Sequence, residues 1–246
     1  DVKNGNGSCS GRGGNMEVLV FDIRGPLAHF RRPDTTNTHA TYPFIPYTTV
    51  RGLAGSIIGL SEFKGTARVG IRLMSPARTS VQQMSMLGKG WLGGGPDFNR
   101  PTAIELVINP YYRIYWSGDY YKELKDYIAN NHSHCHTYLG SAFALTYPNY
   151  VGTYSYSAKD LTEKPFDCLS VIPIDAVGKL IPIPGTQYGR IGGMHCEYHG
   201  ERRFGTIANV LYEFAGRPIR IIPYSKAETK DYTFIETEQG EIICLW

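Results

Sequence analysis

The chain has 246 residues, 42% of them hydrophobic, and a formal net charge of +3, a composition that excludes wholesale disorder and is long enough to bury a full core. No apolar run approaches the roughly 20 residues that cross a bilayer, and the N-terminus has no apolar signal-peptide core, so a cytoplasmic protein with no membrane partner is expected. The five cysteines are odd in number, widely spaced and without a CxxC pair, which argues against a disulfide framework and for a reducing compartment.

Residues 1–15, rich in Gly, Ser and Asn, read as a flexible leader or a cloning remnant. Glu17 to Ile23 is dense in Val, Ile and Phe and stops at Gly25-Pro26, the signature of a buried strand. Arg24, His29, Arg31, Arg32 and His39 then alternate with Phe30, Tyr42, Phe44 and Tyr47, a mixture suited to holding phosphates while stacking bases. More than 20 residues separate this strand from its helix, far above the usual connection, which points to function or a structured insertion. Val50, Leu53, Ala54, Ile57 and Ile58 form the apolar stripe of a helix that Thr48 or Thr49 would cap. Gly52, Gly55 and Gly59 fall on another side, which either a partner or a neighbouring sheet would approach closely. Gly65 to Ser75 alternates as a half-buried strand, with Arg68 and Arg72 together on its other face.

Arg78 to Arg100 fits no regular element throughout. Its glycines mark a loop, yet Met84, Met86, Leu87 and Trp91 are too apolar for an idle one, and Arg78, Lys89 and Arg100 surround them. A projecting element that orders on a partner is expected. Two strands, 102–108 and 112–116, turn at Asn109-Pro110, and Ser117 or Asp119 caps a second helix to about Asn130, with Tyr121, Leu124 and Ile128 inward and Lys122 paired with Asp126 outside. Beyond a soft boundary near Asn149 the chain becomes short strands and turns, including a terminal hairpin around 238–241. The fold class expected is α+β. It comprises a ferredoxin-like or RRM-like antiparallel sheet with two helices over 16–149, a thumb at 78–100 and a β-rich part over 150–246.

Charge is unevenly placed. Residues 24–100 hold ten Lys or Arg against three Asp or Glu, a balance of +7, while residues 1–23 carry −1 and residues 101–246 carry −3. One polyanion-binding face is expected.

The blocks GPLAHFRRP, TYPFIPYTTVRGLAGSIIGL and HTYLGSAFALTYPN together resemble the CRISPR-associated Cas family five, with the last block leaning toward subtype I-B. The resemblance implies an RRM-like, non-catalytic subunit of a type I Cascade surveillance complex. Such a subunit grips the 5′ handle of the CRISPR RNA, caps the filament of backbone subunits beside the large subunit, and meets target DNA through the complex. By this resemblance Arg24, His29, Arg31, Arg32, Tyr42, Tyr47, Arg51 and Arg72 cradle the handle. Arg78, Met84, Met86, Lys89, Trp91 and Arg100 serve the thumb.

Two sharper chemistries compete with this reading. Subtype I-C relatives cleave repeat RNA without metal, using a set resembling tyrosine, histidine and lysine. Tyr42 falls near the matching tyrosine, but no Lys-His dipeptide exists here, so no catalytic residues are assigned and endoribonuclease stays the alternative. His132, His134, Cys135 and His136 could join His195, Cys196 and His199 at zinc, although the spacing matches no finger; no metal or cofactor is assigned. A protein-interaction adaptor with incidental basic charge is the second alternative.

Overall fold

The computed structural model describes residues 16–35, 37–87, 98–201, 203–224 and 232–246. The run MEVLVFDIR forms β1 (Met16–Arg24) and is apolar on both faces. Then come β2 (Leu27–Ala28), α1 (Tyr47–Ile58), β3 (Ala67–Leu73), the hairpin of β4 (Thr79–Leu87) and β5 (Asn99–Ile108), β6 (Tyr111–Gly118), α2 (Tyr121–Ala129) and β7 (Asn149–Ala158). The C-terminal part adds β8 (Phe166–Cys168), β9 (Ile172–Pro173), β10 (Val177–Leu180), β11 (Tyr188–His195), β12 (Ile207–Glu213), β13 (Ile219–Pro223), β14 (Thr233–Thr237) and β15 (Ile242–Leu245).

The fold is α+β. Its main sheet has the order β15-β14-β7-β1-β6-β3, with antiparallel neighbours throughout. Inside it, β7-β1-β6-β3 with α1 after β1 and α2 after β6 is the split βαβ arrangement of ferredoxin-like folds. Leu19, Phe21 and Ile23 of β1 join Val69, Ile71, Ile114 and Trp116 against Val50, Leu53, Ile57, Leu124 and Ile128 of the helices. The alternate positions Val18, Val20 and Tyr115 meet Ile235, Ile243 and Leu245 on the opposite face. That face is filled because the sheet curls: Val69 N–H donates to the Trp246 carbonyl at 3.0 Å, bringing the end of β15 to β3. β7, which begins where the sequence changes texture near Asn149, pairs with β1 and carries the sheet across into the C-terminal part.

Several local expectations are corrected. No threonine caps α1. Pro46 takes the cap position at φ −69°, and its carbonyl accepts from the N–H groups of Thr49 and Val50. Gly52 faces open space and Gly55 makes only ordinary contacts, so close approach on the glycine side of α1 is confined to Gly59, which closes the helix at φ +82° and where a Cβ would sit 2.7 Å from the His134 ring. α2 likewise has no side-chain cap, because Asp119 accepts from the N–H and hydroxyl of Thr66 instead. Among the described residues Lys122 and Asp126 form no ion pair. The segment after Arg78 is more regular than expected: β4 and β5 pair in unbroken register from Thr79 opposite Val107 to Leu87 opposite Asn99.

Candidate nucleic-acid interface

β1 ends at Arg24, opposite Tyr111, and the chain turns on Gly25-Pro26 and runs beside the base of the β4–β5 hairpin. The long connection is a structured insertion. The His39 N–H donates to the Ala103 carbonyl, the Glu105 N–H to the His39 carbonyl, and the Tyr42 N–H to the Phe30 carbonyl, at 2.8 to 2.9 Å. Arg24 ends β1, Arg78 precedes β4 with its carbonyl accepting from the Ile108 N–H, and Arg31 and Arg100 both lie near His39, with Arg100 opposite Met86 toward the outer end of the hairpin. Among the described residues the Arg31 guanidinium reaches the Thr35 carbonyl at 3.5 Å and Arg100 the Asn37 amide oxygen at 3.4 Å. Among the described residues none of these four arginines has an ion-pair partner. Arg32 does, holding Asp34 through two hydrogen bonds of 3.1 and 2.7 Å.

Other residues of the sequence-based set have different surroundings. Tyr42 and Tyr47 are each only 6% exposed, and Phe30 and Phe44 are equally buried. Their order in the sequence suggests base stacking; their packing makes them core. The Tyr42 hydroxyl donates to the Gly193 carbonyl at 3.4 Å, while Tyr47 donates to the Ala67 carbonyl and stacks on Trp246. His29 is also buried, donating from Nδ1 to the Glu105 carbonyl at 2.8 Å, with its ring 6.1 Å from that of His39. Burial, with the nearby Arg31 charge, holds both histidines below the usual value, so near neutral pH positive charge here comes from arginine.

Arg72 is paired with Glu241, which also accepts from the Tyr115 hydroxyl at 2.7 Å. Arg51 belongs to the other end of the sheet. Its guanidinium lies 4.8 Å from the centre of the Phe63 ring and donates to the Gly65 carbonyl, beside a cleft of about 1030 Å³ also lined by Lys64, Arg68, Glu197 and His199. On the hairpin, Met84 lies opposite Thr102 and Met86 opposite Arg100. Lys89 and Trp91 lie outside the described residues.

The exposed aromatic side chains at the arginine end come from a stretch with no site role expected on sequence grounds. Between Thr137 and Asn149 the chain folds back on the 24–30 segment, with the His29 N–H donating to the Leu139 carbonyl at 3.1 Å. Gly140, at φ +82°, lies so close that a Cβ there would sit 2.1 Å from the His29 carbonyl oxygen. The loop turns Tyr138, Phe143, Leu145 and Tyr147 outward, Tyr147 being 75% exposed. The legible signal is apolar residues alternating with Gly, Ser, Ala and Thr in a segment too short for a core strand.

Among the described residues no group of three or more His, Cys, Asp or Glu side chains is gathered for a metal. His132 instead packs against Tyr127 and His195 against Phe204. Burial pushes the Tyr42 phenol above its ordinary value, which keeps it protonated near neutral pH and leaves little phenolate to accept a proton. No helix among the described residues is long and apolar enough to cross a membrane.

An α+β fold with a projecting hairpin and, among the described residues, arginines without ion-pair partners on and beside it defines a candidate polyanion-binding protein. Residues 18–114 match the family model described as CRISPR-associated protein (Cas_Cas5). Through that segment, less than half of its length, the chain is similar to the CRISPR-associated Cas family five. Among solved structures, a CRISPR protein from Archaeoglobus fulgidus shares the fold with a TM-score of 0.54 at 11% identity, over 93% of this chain and 99% of that one. A chain of a CRISPR RNA-guided surveillance complex does so with a TM-score of 0.51 at 10% identity, over 84% and 91%. No curated protein sequence matches significantly.

Proposed function

We propose that this protein is a non-catalytic RNA-binding subunit of a type I surveillance complex that grips the 5′ handle of the CRISPR RNA and caps the filament of backbone subunits beside the large subunit. Target DNA meets it only through the assembled complex. The observation that carries this reading is a set of arginines without ion-pair partners among the described residues, with Arg24 at the end of β1, Arg78 at the root of the hairpin, and Arg31 and Arg100 near His39, beside a β4 strand exposed or half-exposed along its length. Arginines without internal carboxylates are available to phosphates, and exposed aromatic rings beside them suit single-stranded RNA. The family match and the fold shared with a chain of an RNA-guided complex support the same assignment.

The test is a mobility-shift and cleavage assay in chelator, with end-labelled repeat RNA and mature handle RNA, on the protein alone and in its complex. Intact RNA should shift, more strongly with the handle. Arg31→Ala with Arg100→Ala should weaken binding and lower the salt slope by about two, one per lost phosphate contact. A defined cut in the repeat would make the protein a processing enzyme. Unchanged affinity and slope in the double variant would favour an adaptor.

A further inference from the structure

At the end of β1 is a recess of about 400 Å³, lined among others by Arg24, Tyr111, Asn131, Tyr147 and Asn149, toward the small end of the roughly 300–1,000 Å³ usual for ligand pockets. Strand register builds it. Tyr111 begins β6 opposite Arg24, and Asn149 begins β7 opposite Asp22. The acid within it is already compensated, since Asp22 accepts from Arg113 Nε at 2.8 Å, Arg113 Nη2 at 3.1 Å and the Tyr111 hydroxyl at 2.7 Å. An incoming phosphate therefore meets Arg24, which has no ion-pair partner among the described residues, rather than an unpaired carboxylate.

Tyr147 is exposed but its backbone is fixed on both sides. Before it, the buried Thr146 donates from its hydroxyl to the Arg24 carbonyl at 2.8 Å and from its N–H to the Thr137 carbonyl at 3.0 Å; after it, Pro148 leads into β7. An aromatic ring presented on a rigid backbone binds at low entropic cost. Asn131 follows α2 in a left-handed backbone conformation at φ +52°, its N–H bonded to the Ile128 carbonyl. The Asn149 amide has one long contact, 3.5 Å to the Tyr150 carbonyl. These amides offer donors and acceptors together, as reading the edge of a nucleobase requires.

We propose that this recess receives a single extruded nucleotide of the bound RNA, with its base on Tyr147, its edge read by Asn131 and Asn149, and its phosphate held by Arg24. The proposal rests on the RNA-binding reading above and adds a base-specific subsite to it.

The test uses the full chain and single-stranded handle RNAs in which each nucleotide in turn is made abasic. One position should weaken wild-type binding roughly tenfold, as losing one stacked base does. In Tyr147→Ala that abasic effect should vanish, because the contact is already gone. It should persist in Tyr147→Phe, and in Tyr138→Ala, which removes an exposed tyrosine not lining the recess. If Tyr147→Ala leaves every abasic penalty intact, the recess holds no base, while the salt-dependent binding through Arg31 and Arg100 still stands. If the wild type binds no RNA, the functional reading fails and this proposal falls with it.

Discussion

His29 shows how a residue whose type suggests RNA contact becomes structural. Its ring is buried and held by the Glu105 carbonyl; the neighbouring charged groups are Arg31 and Glu105, with His39 beside it. Its folded value is depressed below the ordinary 6.5, chiefly by burial, and His39 is shifted the same way. Above pH 6.5 both folded and unfolded chains are neutral at these rings, and the full stability is present. As pH falls through 6.5 and then the folded values, the unfolded chain takes up protons that the folded chain resists, and stability is lost. The urea midpoint should therefore drop between about pH 7.5 and pH 5.5, and His29→Gln should flatten that drop. Asp34 and Asp167 are held below their ordinary 3.8 and do not titrate in this window. An equally steep drop in His29→Gln would assign the effect elsewhere. The basic character of this segment was legible in the sequence because charge is a property of residue type. The fate of Tyr42 and Tyr47 was not, since it depends on Gly193, Ala67 and Trp246, which are distant along the chain.

At the scale of elements, β1 and β6 could be read because they are buried on both faces and so run largely apolar, and β3 and both helices because each packs one face on the core and so keeps a period. The β4–β5 hairpin could not be drawn in full, since β4 is exposed or half-exposed along its whole length and shows no clean alternation. β11, with its Gly189, Gly192 and Gly193, and the Tyr- and Ser-rich β7 hid for the same reason. On β4, Val81 is 65% and Leu87 72% exposed, so their apolar surface contributes little to the fold. Val81→Asp and Leu87→Asp should each leave stability within about 0.5 kcal/mol, as surface substitutions generally do. If the hairpin is the thumb of a complex, the double variant should fail to co-purify with the backbone subunits. Unfolding measured in urea separates the two effects. A loss of several kcal/mol would mean that these side chains fold back onto the core of the protein itself.

At the scale of the whole molecule, the curl of the main sheet decides which of its surfaces stay open. An open ferredoxin-like sheet offers its uncovered face to nucleotides, but here that face is filled by Val18, Val20 and Tyr115 against Ile235, Ile243 and Leu245. Arg72, legible as outward-facing from alternation alone, is enclosed by the same closure and pairs with Glu241. On the proposed reading, binding is displaced to the end of the sheet that carries Arg24, the base of the hairpin and the 137–149 segment. Gly70 sits at the closing seam. A Cβ there would lie 2.4 Å from Ile243 Cγ2 and 3.3 Å from the Cys244 carbonyl oxygen, and a β-branched side chain has few rotamers with which to retreat. Gly70→Ala should therefore destabilise the protein by about 1–3 kcal/mol, the usual cost of overpacking, read as a lower urea midpoint. Handle-RNA affinity should be unchanged wherever the variant remains folded, because the arginine end lies away from the seam. Unaltered stability would show that β15 separates from β3 at little cost, and weakened RNA binding in the folded variant would place the sheet face back in the binding surface.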